Sequence, residues 1–174
     1  SGSSGDPYQI SSLNELRWLS EHSSYWSAHI IQTEDIDATD TQNWNSGTGF
    51  IPIGNSSTYF TGVYNGKGYE IDGLYVNRSN SSYQALFGYA DGASIDSLGV
   101  TNVNITGDYY CAGLVGYCYN YTSIYKCYST GSVSAENYAG GLVGYFLYYS
   151  YITNCYTTCS VTGDYYIGGL VAYK

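Results

Sequence analysis

Five cysteines, two histidines and fourteen carboxylates are the side chains of this sequence best equipped for chemistry. Nucleophilic catalysis by serine or cysteine needs a histidine as base. The two histidines, His22 and His29, lie far upstream of every cysteine, and neither stands in a recognisable motif. His22 reads as the end of a helix and His29 as a strand residue. No cysteine pair has zinc-ligand spacing with histidine support. A carboxylate pair of the glycosidase kind stays open, because parallel β-helices host such enzymes. The carboxylates here fall mostly in turns beside glycine. The sequence predicts a protein that is not an enzyme and has no cofactor.

What does recur is a spacing. Asp108, Glu136 and Asp164 are 28 residues apart, in TGDYY, SAENY and TGDYY. They read as solvated turns or as a column of hard oxygen ligands for Ca²⁺. Glu34, Asp35, Asp37 and Asp40 form a second acidic cluster, without the glycine and spacing of an EF-hand loop. Cys127 and Cys155 also differ by 28 and are a candidate disulfide. Cys111 and Cys118 bracket AGLVGY, and an odd total of five leaves one cysteine unpaired within the chain. Tyrosine is the outlier, with 24 residues. Tyr89, Tyr117, Tyr145 and Tyr173 form one column at the same spacing, and Tyr110, Tyr138 and Tyr166 another. Tyr128 lies over Tyr156, and Tyr121 over Tyr149. Two readings stand: ladders that stabilise the fold from outside, or a flat face that binds a partner.

Apolar residues keep the same step. Leu86, Leu114, Leu142 and Leu170 sit in QALFGY, AGLVGY, GGLVGY and GGLVAY, each 28 after the last. Ile124 lies over Ile152, with Ile95 joining after a one-residue slip. Val133 lies over Val161 with Ile105 beneath, and Cys127 over Cys155 with Leu98 beneath. Each apolar residue is flanked by polar or small ones in a period of two, as in SIYKCYST, which is strand patterning. Such a unit cannot bury its apolar face alone, but stacked on its neighbour it can. The fold class predicted is all-β: a parallel β-solenoid of 28-residue coils, three short strands per coil, with one short N-terminal α-helix. Glycines flanking Leu-Val are expected to turn the chain at corners.

The spacing divides the chain into a flexible segment 1–7, a lead-in or cap 8–82, and repeats 83–174. SGSSG at 1–5 reads as a flexible lead-in, natural or left by expression. Ser12 and Glu15 form a capping box, predicting a helix over 13–22. HIIQTEDID and GFIPIG read as short strands, and YNGKGYEIDGLYV as two glycine turns and a strand.

Charge excludes other classes. The net charge is −9, and the five cations (Arg17, Lys67, Arg78, Lys126, Lys174) are scattered. Neither a nucleic-acid backbone nor an anionic membrane surface is matched. No apolar run reaches the ~20 residues of a membrane-spanning helix. Sequons at Asn55, Asn77, Asn80, Asn104 and Asn120 are candidate glycosylation sites and fit an extracellular or cell-surface protein.

The blocks Gly113-Leu114-Val115-Gly116, Gly141-Leu142-Val143-Gly144 and Gly169-Leu170-Val171 resemble GLUG motif repeats. ITNCYTTCSVTG (152–163) is similar to the Asn-Cys-Tyr-x-Thr-Gly-x-Val stretch of that family. YFTGVYNGKGYEIDGLYV, DPYQISSLNEL and the IPIG after Trp44 resemble its usual opening. The departures are Ala85, Ala172 and the tyrosine content. The resemblance implies a secreted or surface-attached β-helical segment, as in adhesin-like proteins and the non-catalytic region of immunoglobulin A peptidases. It implies no reaction.

Two functions are expected from these features. One is a structural subunit that self-assembles head to tail into a filament, because GGLVAYK closes the sequence on an uncapped coil that GDPYQI or the helix of the next copy would cover. The other is an adhesin-type module whose tyrosine face contacts carbohydrate or a cell surface.

Overall fold

Each apolar column becomes a line of side chains stacked through the molecule. The computed structural model describes residues 1–174. The chain starts with β1 (Tyr8–Ile10) and α1 (Leu13–Glu21), then β2 (His29–Gln32) and β3 (Ile36–Asp37). After a stretch of short 3₁₀ turns come β4 (Val63–Asn65), β5 (Glu70–Asp72) and β6 (Tyr75–Asn77). The repeats supply β7 (Phe87–Asp91), β8 (Ser94–Asp96), β9 (Gly99–Ala112), β10 (Val115–Tyr119), β11 (Ser123–Tyr125) and β12 (Tyr128–Gly140). They end with β13 (Val143–Phe146), β14 (Tyr151–Thr153), β15 (Tyr156–Thr157), β16 (Ser160–Gly168) and β17 (Val171–Tyr173).

These strands form three sheets, one per side of a β-solenoid. The first runs β1-β2-β4-β8-β11-β14, the second β7-β10-β13-β17, and the third β3-β5-β9-β12-β15, with β6 also on β9 and β16 on β12. Every ladder between these strands is parallel, so each coil sits on the last in register. Val115 pairs with Phe87 and Val143, Ile124 with Ile95 and Ile152, Val133 with Ile105 and Val161. The one-residue slip below Ile124 is present. Leu86, Leu114, Leu142, Ile95 and Ile124 are 0% exposed and belong to one continuous core. One side is longer than expected, since β9 and β12 each carry a whole edge of the coil.

The corners differ from expectation. Gly113 and Gly116 lack positive φ; their missing Cβ is what counts. A Cβ on Gly116 would lie 2.5 Å from the Tyr110 carbonyl oxygen and 2.8 Å from that of Gly88. The left-handed residue of this corner is a tyrosine: Tyr83, Tyr110, Tyr138 and Tyr166 have φ of 63°, 59°, 57° and 54°. Asp108, Glu136 and Asp164 lie inside β9, β12 and β16, not in turns, because the backbone around them continues the ladder to the next coil.

At the N-terminal end the helix ends at Glu21 with His22 as its cap residue. Glu15 N–H donates to Ser12 Oγ at 3.4 Å, but the Glu15 carboxylate reaches back one residue further than a capping box, to Ser11 N–H at 2.7 Å. That backbone bond, with one from the Ser11 hydroxyl, holds the Glu15 carboxyl below its usual range. Leu16 and Leu19 are buried in the solenoid core, and the Arg17 guanidinium lies 4.7 Å over the Trp44 ring. In residues 1–7 the Ser1 ammonium meets Asp6 at 2.7 Å, and His29 N–H donates to Gly2 O at 2.9 Å. GFIPIG is not a strand. Pro52 has no N–H to give, and the stretch touches the sheets only through isolated bridges at Gly49 and Ile53.

Candidate interaction face: the tyrosine ladders

The corner between the third and second sheets places two tyrosines per coil side by side. The left-handed tyrosine ends the long strand, and GLVG then delivers the second into the next sheet. Repetition turns each into a ladder. Tyr89, Tyr117, Tyr145 and Tyr173 stack with ring centroids 4.6, 4.9 and 4.8 Å apart. Tyr110, Tyr138 and Tyr166 stack at 5.0 and 4.6 Å. The ladders interlock edge to face, as in Tyr110–Tyr117 at 5.1 Å and 90° and Tyr138–Tyr145 at 5.0 Å and 83°. Two members have no 28-residue spacing to announce them. Tyr59 extends the first ladder, 4.4 Å from Tyr89, and Tyr83 the second, 5.2 Å from Tyr110. Tyr83 was detectable as the aromatic just before an LFG block, shifted by one residue. Nothing in the sequence marks Tyr59.

The other two columns form as well, on the remaining corners. Tyr121 stacks on Tyr149 at 5.3 Å and 15°, and Tyr128 on Tyr156 at 4.9 Å and 2°. The Tyr128 hydroxyl donates to the Glu70 carboxylate, and the hydroxyl end of its ring crosses Gly99, where a Cβ would meet it at 2.5 Å.

Stacking decides what the face offers. Each ring inside a ladder has a neighbour above and below, so its π faces are already occupied. The outer edges and hydroxyls remain. Only Tyr64, in the core, and Tyr128 use their hydroxyls in hydrogen bonds within the chain. Packing removes water from the rings and pushes the Tyr117 phenol up to about 12, with the neighbouring tyrosines adding to it. Tyr83, Tyr89, Tyr110, Tyr138 and Tyr145 shift upward for the same first cause. Inside the two long ladders a flat sugar ring has no open tyrosine face to stack on, whereas the two-ring stack of Tyr121 and Tyr149 is 62% and 70% exposed. A polar partner could use the row of hydroxyls.

The remaining candidates separate from this face. Cys127 lies in register below Cys155, whose Sγ accepts from Cys127 N–H at 3.3 Å. All five cysteines are thiols in this structure. The hydrogen bond with Cys155, then burial, pushes the Cys127 thiol up, and the same bond brings Cys155 down. Cys111 and Cys118 are buried in the core. Asp108, Glu136 and Asp164 stack as a column, yet no three Asp, Glu, His or Cys side chains converge on a point that would hold a metal ion. In the cluster Glu34, Asp35, Asp37 and Asp40, Asp37 accepts from Thr39, Asp40 from Asn43 and Trp44, and Asp35 from the Glu70 N–H of the next coil. Asn55, Asn77, Asn80 and Asn104 are exposed and Asn120 is half-buried.

Comparison with known protein families finds no match, and no solved structure matches. Two curated proteins are similar to part of the chain. Over 112 residues it is 35% identical to Halomucin of Haloquadratum walsbyi. Over 112 residues it is also 33% identical to a Gly-rich membrane protein of Evansella cellulosilytica. The alignments take in 61% and 62% of this chain but only 1% and 12% of those proteins. No helix of the chain is long and apolar enough to cross a membrane.

Proposed function

We propose that this chain is a non-catalytic, structural β-solenoid unit of the GLUG repeat type, belonging to an extracellular or cell-surface protein and extended axially by stacking coil on coil. One observation carries the reading: every ladder is parallel, so each coil offers the next the same columns. The layer formed by β14 to β17 repeats the core columns but leaves them open: Leu170 is 37% exposed where Leu86, Leu114 and Leu142 are 0%. Ile152, Val161 and Val171 pack only partly against the core from the same layer. A coil with the same columns completes it, from a second copy stacking head to tail or from further residues of the same polypeptide. In a head-to-tail contact the opposite end presents α1, with Trp18 40% exposed, so side-chain packing would close that junction. The similarity to part of Halomucin and of a Gly-rich membrane protein supports a surface setting, as do the exposed sequons.

The adhesin reading is second. It is favoured by the unpaired hydroxyl rows and disfavoured, for stacked sugars, by the occupied ring faces. Sedimentation velocity and negative-stain microscopy across a concentration series test the first reading. Rods should lengthen at constant width, and Leu170→Asp should hold the chain as single particles. A chain that stays monomeric at millimolar concentration, or rods indifferent to Leu170→Asp, would count against assembly through this layer.

A further inference from the structure

Two of the five cysteines meet in the last two coils. Cys127 stands between β11 and β12, and Cys155 between β14 and β15. The pairs on either side, Tyr125 with Thr153 and Tyr128 with Tyr156, are in register, so the cysteines are neighbours across one strand spacing of about 4.8 Å. A disulfide bridges Cα atoms about 4.4–6.8 Å apart. Both side chains face inward. Cys127 is 1% exposed, and Cys155 packs partly against the core from the outer layer. No other two cysteines share a column. Cys111 pairs with Ala139, and Cys118 with Ala90 and Phe146. Cys159 precedes Ser160, which pairs with Ser132, and so stands over Gly131.

The two thiols are not equivalent. Cys127 N–H donates to Cys155 Sγ at 3.3 Å and to no backbone carbonyl. The thiols also share a hydrogen bond. Donors aimed at the Cys155 sulfur favour its thiolate and hold Cys127 as a thiol. Cys155 is also the less buried of the two. The thiolate is the nucleophile in thiol–disulfide exchange. This corner therefore holds an attacking sulfur and, beside it, a second thiol to resolve the product.

We propose that Cys155 and Cys127 form a redox-active pair that exchanges with a low-molecular-weight disulfide and closes into a bond stapling the last two coils together. Cys155 Sγ attacks one sulfur of the small disulfide RSSR, whose S–S bond breaks, and RS⁻ leaves and takes up the proton that Cys155 has released. Cys127 then attacks Cys155 Sγ, and its proton goes to the second RS⁻ expelled. Two cysteine thiols are oxidised and one RSSR is reduced to two RSH. Once Cys155 is capped, the hydrogen bond that held Cys127 as a thiol is gone, which frees it for the second step. The extracellular setting proposed above would favour the closed form. The chemistry itself rests on the ladder register and not on how the solenoid assembles.

The test is non-reducing peptide mapping of the full chain after incubation with hydroxyethyl disulfide. Cleavage by trypsin and chymotrypsin after Lys126, Tyr128 and Tyr156 puts Cys127, Cys155 and Cys159 on separate peptides. Two of the five thiols should disappear, with Cys127 linked to Cys155. The urea midpoint should rise, because the bond closes a loop 28 residues long, and dithiothreitol should reverse the change. Cys155→Ser should slow thiol loss about tenfold or more, and Cys127→Ala should stop at a mixed disulfide on Cys155. Cys159→Ser should keep both the link and the rate, and it decides the matter with the wild-type map if either other variant fails to fold. A link from Cys155 to Cys159, a mixed disulfide that persists in the wild type, native thiols that all survive, or folded Cys155→Ser oxidising at the wild-type rate overturns the proposal.

Discussion

Tyr138 concentrates the local conflict of this protein. Its φ of 57° is left-handed, which costs a non-glycine residue about 1–2 kcal/mol. Against this stand stacks with Tyr110 and Tyr166 and edge contacts with Tyr145 and Tyr173. At about 0.5–1.5 kcal/mol per pair, the ring contacts outweigh the backbone cost. The order of variants follows. Tyr138→Phe should change stability by less than about 0.5 kcal/mol, because the hydroxyl has no partner within the chain. Tyr138→Ala should lose about 2–4 kcal/mol, because it keeps the strained φ and gives up the rings. Tyr138→Gly should lose about 1 kcal/mol less than Ala, since glycine accepts that φ. Urea denaturation of the three variants measures this. Alanine more stable than glycine would remove the backbone part of the account. The sequence made the tyrosine columns legible through their 28-residue step. It did not make legible that seven of the fifteen non-glycine residues with positive φ are tyrosines, since glycine or asparagine is the ordinary occupant of that conformation.

At the scale of the element, strand pairing was readable where side chains alternate and unreadable where backbone contacts decide. The apolar alternation in SIYKCYST fixed β11 and the start of β12 with the register later observed. GFIPIG has apolar residues of the right kind, yet it pairs through single bridges because proline interrupts the donors. The acidic column read as turns because each acid stands beside glycine or a small residue, but continuous ladder bonds hold it in strands. Gly131 shows a backbone constraint of the same sort. It lies in β12 where the register with β9 shifts, at a φ of 119°, and a Cβ there would stand 2.3 Å from the Val103 carbonyl oxygen. Gly131→Ala should lose about 2–4 kcal/mol, through a disfavoured φ and a backbone clash together. Gly5, with open space around it and no positive φ, should accept alanine within about 0.5 kcal/mol. Equal denaturation midpoints for the two variants would show that the bulge relaxes freely.

For the molecule as a whole, the ladders join coils that are distant in sequence, so they should fail together. An ordinary tyrosine titrates near about 10. Tyr117 is raised to about 12, and several neighbours are raised with it. The folded state therefore holds these protons more tightly than the unfolded chain. Their contribution is fully present below about pH 10 and is lost as pH rises through the folded value. Urea midpoints should stay level up to about pH 10 and fall toward about pH 12, in step with tyrosinate absorbance. A level midpoint through that window would mean that ionised tyrosines remain in their stacks at no cost. The architecture itself was legible, because a fixed interval kept by unrelated residue types (leucine, tyrosine, acid, cysteine) has a simple physical cause in stacking. The place of Tyr59 at the end of the first ladder was not legible, because its stretch obeys no interval and only folding brings it beside Tyr89.

The in-register stack also limits how such a chain can change in length. Each coil meets its neighbours through the same columns, so a whole 28-residue unit can be copied or dropped and every ladder closes again. A single inserted residue inside a strand would rotate leucine and tyrosine out of line unless a bulge absorbs it, as beside Gly131. The slip between Ile95 and Ile124 enters in the connecting loop and is undone at the bulge beside Gly131. Length in this protein is therefore counted in coils, and a gene encoding it can gain or lose repeats by recombination without having to repair the joint.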